Sequence, residues 1–433
     1  MKLINRTANS VHRRRFPRRR GYLYVAVLFV STIVGVIGLS AVSVARLQLR
    51  ATTESTDAAN ASLLAQSAVE HALSTIEADL NWRTTYSENV IYPSPRVVMN
   101  GGDFAWKLID SDGSLSDDDS DNVTVVGIGR VGEFSSACSV KLYPTGQSLD
   151  SLSMAFHCNQ DVTLGNKTEF TTDQTISSNG NITATNNNSE INGDASAAGS
   201  IVGTITGTSF PLAPLLKMPG SDAFDYYKAR GTWIDYDSLP GSAGDRKLDG
   251  ILLTPNNNPF GATNSAGIYV IDCALQKLKI KDSRISGTLV LLNSPSSSRI
   301  EGHIRWDHFV ENQPALMVEG DIQLRFDDKK LKENAIGNNL NPVDSDYEGD
   351  EDSDTSDEYP SSIQGLIYVS GLLNLDKKEK TIDGVVLCET VQADEDSTFN
   401  YDTTYSTTPP AGFAFGNPMR IIPGSWQLES LAP

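Results

Sequence analysis

The chain has 433 residues, with 54 acidic against 35 basic side chains and a formal net charge of −19. A surface that acidic works against nucleic acid as a partner, because the phosphate backbone is itself anionic. Hydrophobic residues at 39% and aromatics at 8% suffice for packed cores, and the length allows two or three domains.

The first element is basic and then apolar. Lys2, Arg6, Arg13, Arg14, Arg15, Arg18, Arg19 and Arg20 precede Gly21 with no acidic residue among them. An uncharged run from Tyr22 to Ala45 follows, about 36 Å long as a helix, enough to cross a hydrocarbon core of about 30 Å. It is too long for a cleaved signal's apolar region, and the charge asymmetry predicts a cytoplasmic N-terminus. A twin-arginine signal at Arg14-Arg15, cleavage after Ser43-Val44-Ala45 and a plain unprocessed anchor are the competing readings. Without the eight leader cations the net charge becomes −19 − 8 = −27.

Beyond the span, Ala61, Leu64, Ala65, Ala68, Val69, Ala72, Leu73, Ile76 and Leu80 recur at three- and four-residue steps. That periodicity predicts an amphipathic helix. With no proline or glycine between Ala45 and Leu80, one helix from about Tyr22 to Leu80 is expected.

A basic leader ending in Gly21, an aromatic Tyr22 and an apolar helix grading into an amphipathic one resemble the class III signal of type IV pilins and type II secretion pseudopilins. The stretch "LLAQSAVEHALSTIE" is similar to the helix that follows the span in minor pilins of the PilX kind. The resemblance covers roughly residues 15–85. It implies processing between Gly21 and Tyr22 by a prepilin peptidase, an inner-membrane assembly platform, and a filament of other pilins or pseudopilins. Small and β-branched residues, Gly35, Gly38, Ala41 and Val44, would pack in that filament. Family members usually carry a glutamate where this chain has Ala26, a departure shared with minor pilins and tip pseudopilins, so a tip or priming position is implied.

Next come three strand patterns. Phe104, Trp106 and Leu108 alternate with polar or small neighbours, Val123–Val131 reads as a second strand and Ala137–Tyr143 as a third. Between the first two lies "DSDGSLSDDDSD". Its carboxylates Asp110, Asp112, Asp117, Asp119 and Asp121 make it a candidate Ca²⁺ loop, although EF-hand spacing is missing and Asx turns explain it equally well.

From about residue 149 isolated β-formers alternate with Asn, Gly, Thr and Ser, predicting short strands stacked as a β-solenoid, with a β-sandwich as the alternative. A helical or irregular insertion is expected near 209–250. The acidic loop 343–360 should stay solvated and mobile. The fold class is therefore α+β: leader 1–21, span 22–45, helix plus small antiparallel sheet 46–148, and a β-rich extracytoplasmic part 149–433.

Chemistry is sparse. Cys138, Cys158, Cys273 and Cys388 show no CxxC; Cys138 with Cys158 is a candidate bridge, and buried free thiols are the alternative. His303 and His308 point to opposite faces if on one strand. No GxSxG, HExxH, P-loop or dinucleotide fingerprint occurs. The expectation is a non-enzymatic protein without a cofactor, whose β-rich part meets a surface, a polysaccharide or a partner protein. A tethered β-helix adhesin or a polysaccharide-active enzyme with two hidden carboxylates is the alternative.

Overall fold

The computed structural model describes residues 22–186 and 188–429. Helix α1 runs unbroken over Tyr22–Ala78, 57 residues and about 86 Å. Its first 29 residues, 22–50, are all exposed, and burial begins only at Ala61. From there Ala61, Leu64, Ala65, Ala68, Val69, Ala72 and Ile76 form the buried stripe that the periodicity predicts. Four alanines in that stripe let the helix lie close to whatever it packs on.

It packs on an antiparallel sheet of β1 (Tyr92–Met99), β2 (Gly102–Asp110), β3 (Val123–Val131) and β4 (Phe134–Pro144). β1 and β2 are joined by Asn100-Gly101, both with positive φ, the residue pair that a tight hairpin turn favours. In β3, Gly127 and Gly129 face α1. A Cβ on Gly127 would meet the Ala65 carbonyl oxygen at 2.1 Å, and one on Gly129 would meet that of Ala61 at 2.2 Å. Backbone therefore lies on backbone, and Phe104, Trp106, Leu108, Val125 and Val140 fill the space on either side. Trp106 Nε1 donates to His71 Nδ1 at 3.1 Å, which satisfies the buried indole.

The sheet is completed from far away. Met419–Ile421 and Gln427–Glu429 both pair antiparallel with β4. Asn417 also reaches the end of α1, accepting from Trp82 Nε1 at 3.0 Å and donating to the Ile76 and Asp79 carbonyls. The β-rich span expected over 149–433 thus stops short. Its last strands belong by pairing to the helix-bearing sheet, and the region between β4 and Met419 is inserted into it. A two-stranded antiparallel ladder, Gln147–Ser148 with Ala414–Phe415, forms the neck.

The inserted region is a coil of short strands in a 20-stranded sheet. Within that sheet the ladders are parallel apart from Gly241–Ser242 with Asp245–Asp249, unlike an antiparallel sandwich; Leu331–Lys332 and Glu358–Tyr359 form a separate antiparallel pair beside it. A typical turn takes 20 residues, as from Phe156 to Ile176 and from Ile268 to Thr288. The path is broken in two. One piece coils from Phe156–Cys158 out to Ser209–Pro211; the chain then crosses to the opposite end and coils back from Thr232–Trp233 to Ser397–Tyr401. The pieces meet where Cys388 pairs with Cys158 and Phe399 with Thr172. Inward residues such as Phe156, Phe170, Ile280, Trp306, Leu324 and Phe399 make a continuous core.

A second core covers one outer face, where Phe224 and Tyr227 of the helical stretch 221–230 pack with Leu152, Tyr368, Leu387, Tyr405 and Phe413. All four cysteines are buried free thiols. Cys138 lies in the helix–sheet core and Cys158 in the coil core, so the bridge considered between them is not formed.

The acidic run is a surface excursion that makes specific contacts with the coil. Arg284 donates to the Leu340 and Ser345 carbonyls at 2.7 and 2.8 Å, and the guanidinium groups of Arg284 and Arg305 lie over Tyr347. Glu333, fully buried, accepts from the Leu340 amide at 2.5 Å, the Asp357 amide at 3.2 Å and Tyr359 Oη at 2.7 Å. Glu333→Gln should cost about 1–3 kcal/mol, since the amide must turn a donor toward donors. Hydrogen exchange should accelerate over 331–359 and stay unchanged in β2 and β3. Uniform exchange throughout would show that this carboxylate does not organise the excursion.

Candidate functional site

Two features stand out from the fold: the free length of α1 and the loop 111–122 between β2 and β3. Residues 22–60 of α1 project about 58 Å beyond the sheet, calculated from the helical rise. Tyr22 is the first described residue and is helical; Gly21 lies outside the described residues. Gly35, Gly38, Ala41 and Val44 are all exposed. Their three-residue spacing drifts about 60° per step, so they wind across half the helix surface instead of forming one stripe. Gly35 and Gly38 stay neighbours, and a Cβ on either would meet nothing within 4 Å. The helix is long and apolar enough to cross a membrane and carries no intramolecular cover there.

In the loop, three of the five singled-out carboxylates converge. Oxygens of Asp110, Asp112 and Asp121 lie within 4.8 Å of one another; Asp110 is buried, Asp121 half-buried and Asp112 exposed. Asp117 and Asp119 turn elsewhere. Asp117 accepts from the Asp118 amide at 3.0 Å, and Asp119 pairs with Lys217, which also holds Asp118 at 2.7 Å.

Arg83, on the short helical turn Trp82–Thr85, enters the same loop. It donates to the Asp121 carbonyl at 2.5 Å and the Leu115 carbonyl at 3.3 Å, and its Nη1 lies 3.7 Å from Asp110 Oδ2. Burial pushes the Asp121 carboxyl up to about 7, with Asp118, Asp222 and Asp110 adding repulsion. Burial also raises Asp110; the Ser111 and Asp112 amides oppose that without reaching hydrogen-bond geometry. Sequence reading found the aspartates from their density but missed Arg83, Lys217 and Asp222, because nothing local ties residues 83, 217 and 222 to this loop.

A concavity of about 910 Å³ lies elsewhere, between the coil face and the excursion, lined by Asp249, Lys281, Asp282, His303, Lys330 and Lys332. His303 bridges adjacent turns, with Nδ1 3.3 Å from Asp282 and Nε2 3.2 Å from Asp327. His308 lies apart, Nδ1 3.4 Å from Tyr405 Oη.

The architecture is thus a helix-bearing α+β unit with a large β-rich insertion. No family model matches the chain, and no curated protein matches it. Among solved structures, the competence-associated pilin ComZ from Thermus thermophilus is similar over 86% of this chain and 98% of that one, at 10% identity and a TM-score of 0.29. At that score the likeness carries no functional argument.

Proposed function

We propose that the chain is a non-enzymatic minor pilin or pseudopilin of the PilX kind, held in the inner membrane by α1 and assembled through it into a filament at a tip or priming position. One observation carries the reading. A single rigid helix is sunk into a sheet over residues 61–78 and bare over 22–60, so its apolar half has only lipid or other helices to cover it. The basic leader and the Gly21–Tyr22 step supply the processing signal, and Ala26 leaves no carboxylate to pair with a subunit above. The inserted coil, read as a β-helix, would then meet the outside.

A tethered adhesin or a polysaccharide-active enzyme would need the anchor only as a tether. Mass spectrometry of the N-terminal peptide from host membranes separates the readings: a chain beginning at Tyr22 supports the pilin pathway, and an intact leader overturns it. A second test uses Gly38→Leu. Its side chain meets nothing within the chain, so thermal stability and membrane insertion should stay unchanged. Recovery in sheared filaments should fall at least about 10-fold, because small residues let membrane helices approach. Undiminished recovery would exclude Gly38 from helix packing.

A further inference from the structure

We propose that Asp110, Asp112 and Asp121 bind one divalent cation of the calcium type, at the seam between the helix-bearing sheet and the inserted coil. The cluster does not stand on acidity alone. Asp110 is 3% exposed, and neither of its carboxylate oxygens accepts a hydrogen bond from any described group, yet it lies in the convergent set. A buried, unbonded carboxylate is costly unless a cation compensates it.

Arg83 is the local cation, but it is insufficient. Its guanidinium spends two hydrogen bonds on the Asp121 and Leu115 carbonyls and stays 3.7 Å from Asp110. With all three carboxylates ionised, as ligands to a cation would be, one guanidinium leaves −3 + 1 = −2, the charge a divalent ion balances. Lys217, the other cation at this loop, is taken up by Asp118 and Asp119.

The donor set selects the ion. All three side chains offer hard oxygen, with no histidine or cysteine in the group, which disfavours zinc and copper. Asp112 is exposed, so water can complete a coordination shell of six to eight oxygens, whereas magnesium requires a stricter octahedron. The ligands span both ends of the loop, with Asp110 closing β2 and Asp121 two residues before β3.

That loop is also one of the places where the two parts of the molecule touch, beside the Lys141–Asp225 pair. The Asn122 amide donates to Asp222 at 2.5 Å, Lys217 pairs with Asp118 and Asp119, and the Gly416 amide donates to the Asp119 carbonyl at 2.9 Å. A bound ion would therefore fix how the coil is carried on the helix-bearing sheet. This inference does not rest on the pilin reading; it holds for any chain with this loop, and N-terminal processing bears on one and not the other.

The test uses the full chain in detergent, stripped with a chelator. Terbium alone is titrated first and read by luminescence excited through tryptophan, Trp82 lying against Arg83 with 4.6 Å from guanidinium to ring. Calcium is then titrated against thermal unfolding up to about 10 mM, roughly ten times the weak end (about 1 mM) of extracellular calcium modules. A saturable terbium signal, displaced by calcium, and an upward shift in Tm are expected.

Asp112→Asn, exposed and so tolerated by the fold, should weaken both at least 10-fold. Asp117→Asn should leave both unchanged. Arg83→Gln, which removes a like charge beside the ion, should retain or tighten calcium binding. The proposal is overturned by the absence of saturable binding to about 10 mM, by equal responses in the Asp112→Asn chain, or by loss of binding in a folded Arg83→Gln chain.

Discussion

Replacing Gly129 with valine is expected to lift α1 off its sheet. A Cβ at that position would stand 2.2 Å from the Ala61 carbonyl oxygen and 2.5 Å from the Ala65 amide nitrogen. Both are helix backbone, so no rotamer change relieves the contact, and trimming Ala61 to glycine would not rescue it. Gly127 presents the same problem to the Ala65 carbonyl and to Val69 Cγ2 at 2.9 Å. Inserting carbon into a tight contact usually costs about 1–3 kcal/mol, and a rigid helix cannot yield locally, so at least about 3 kcal/mol is expected here.

The measurement is thermal unfolding of the full chain in detergent, with hydrogen exchange over residues 61–78. A lowered Tm with exchange released along that stretch is expected. Val98→Ala, a truncation at an 81%-exposed position of β1, should change neither. Wild-type exchange in Gly129→Val would mean that the helix does not lie where these contacts place it. The consequence reaches function: this backbone contact sets the direction in which the bare half of α1 leaves the sheet.

Elements that depend on local pattern were legible in the sequence. The stripe from Ala61 to Ile76 follows from helical periodicity, and β3 over Val123–Val131 from its run of valines and isoleucine. What joins those elements was not legible. Gly127 and Gly129 interrupt "VTVVGIGRV" as glycines do where another backbone approaches, but a strand sequence does not say which backbone. The return of Met419–Ile421 and Gln427–Glu429 to β4 is a pairing across more than 270 residues, with no local signature. The same is true of the joint at Cys158 and Cys388: strand texture predicts stacking but not order, so a coil broken and rejoined reads like an unbroken one.

The candidate site divides along the same line. Density of aspartate marked the loop, while the choice of Asp110, Asp112 and Asp121 over Asp117 and Asp119 is made by Arg83 and Lys217, which fold back from elsewhere. The contacts of the acidic run 344–359 were not legible for the reciprocal reason. Its own charges predict repulsion, and the groups that hold it, Arg284 and Glu333, lie outside it.

Acidification should uncover a second buried weakness, at His157. This residue follows Phe156 on the strand Phe156–Cys158, with the opposite facing, so its ring is buried beneath the flank core while its neighbours fill the coil core. It is fully buried; Nδ1 lies 2.8 Å from Ser177 Oγ, and Nε2 has no hydrogen-bond partner. Burial lowers its pKa from 6.5 to about 4. The unfolded chain therefore takes up a proton between pH 6.5 and 4 that the folded chain refuses, and stability must fall as pH drops through that window. The loss is complete near pH 4 and amounts to about 3 kcal/mol, at 1.36 kcal/mol for each pH unit.

Asp121 runs the other way over much of the same range, because its raised carboxyl takes up its proton more readily in the folded chain. The reading must be a difference between two proteins. His157→Leu keeps the volume and leaves Ser177 its second acceptor, the Phe156 carbonyl at 3.2 Å, so stability at pH 7.5 should stay within about 1.5 kcal/mol of wild type. Denaturant unfolding of both chains in steps from pH 7.5 to 4 should show the wild type losing about 3 kcal/mol relative to the variant. Parallel curves would mean that the imidazole accepts its proton in the folded state, through an opening of the flank that covers it.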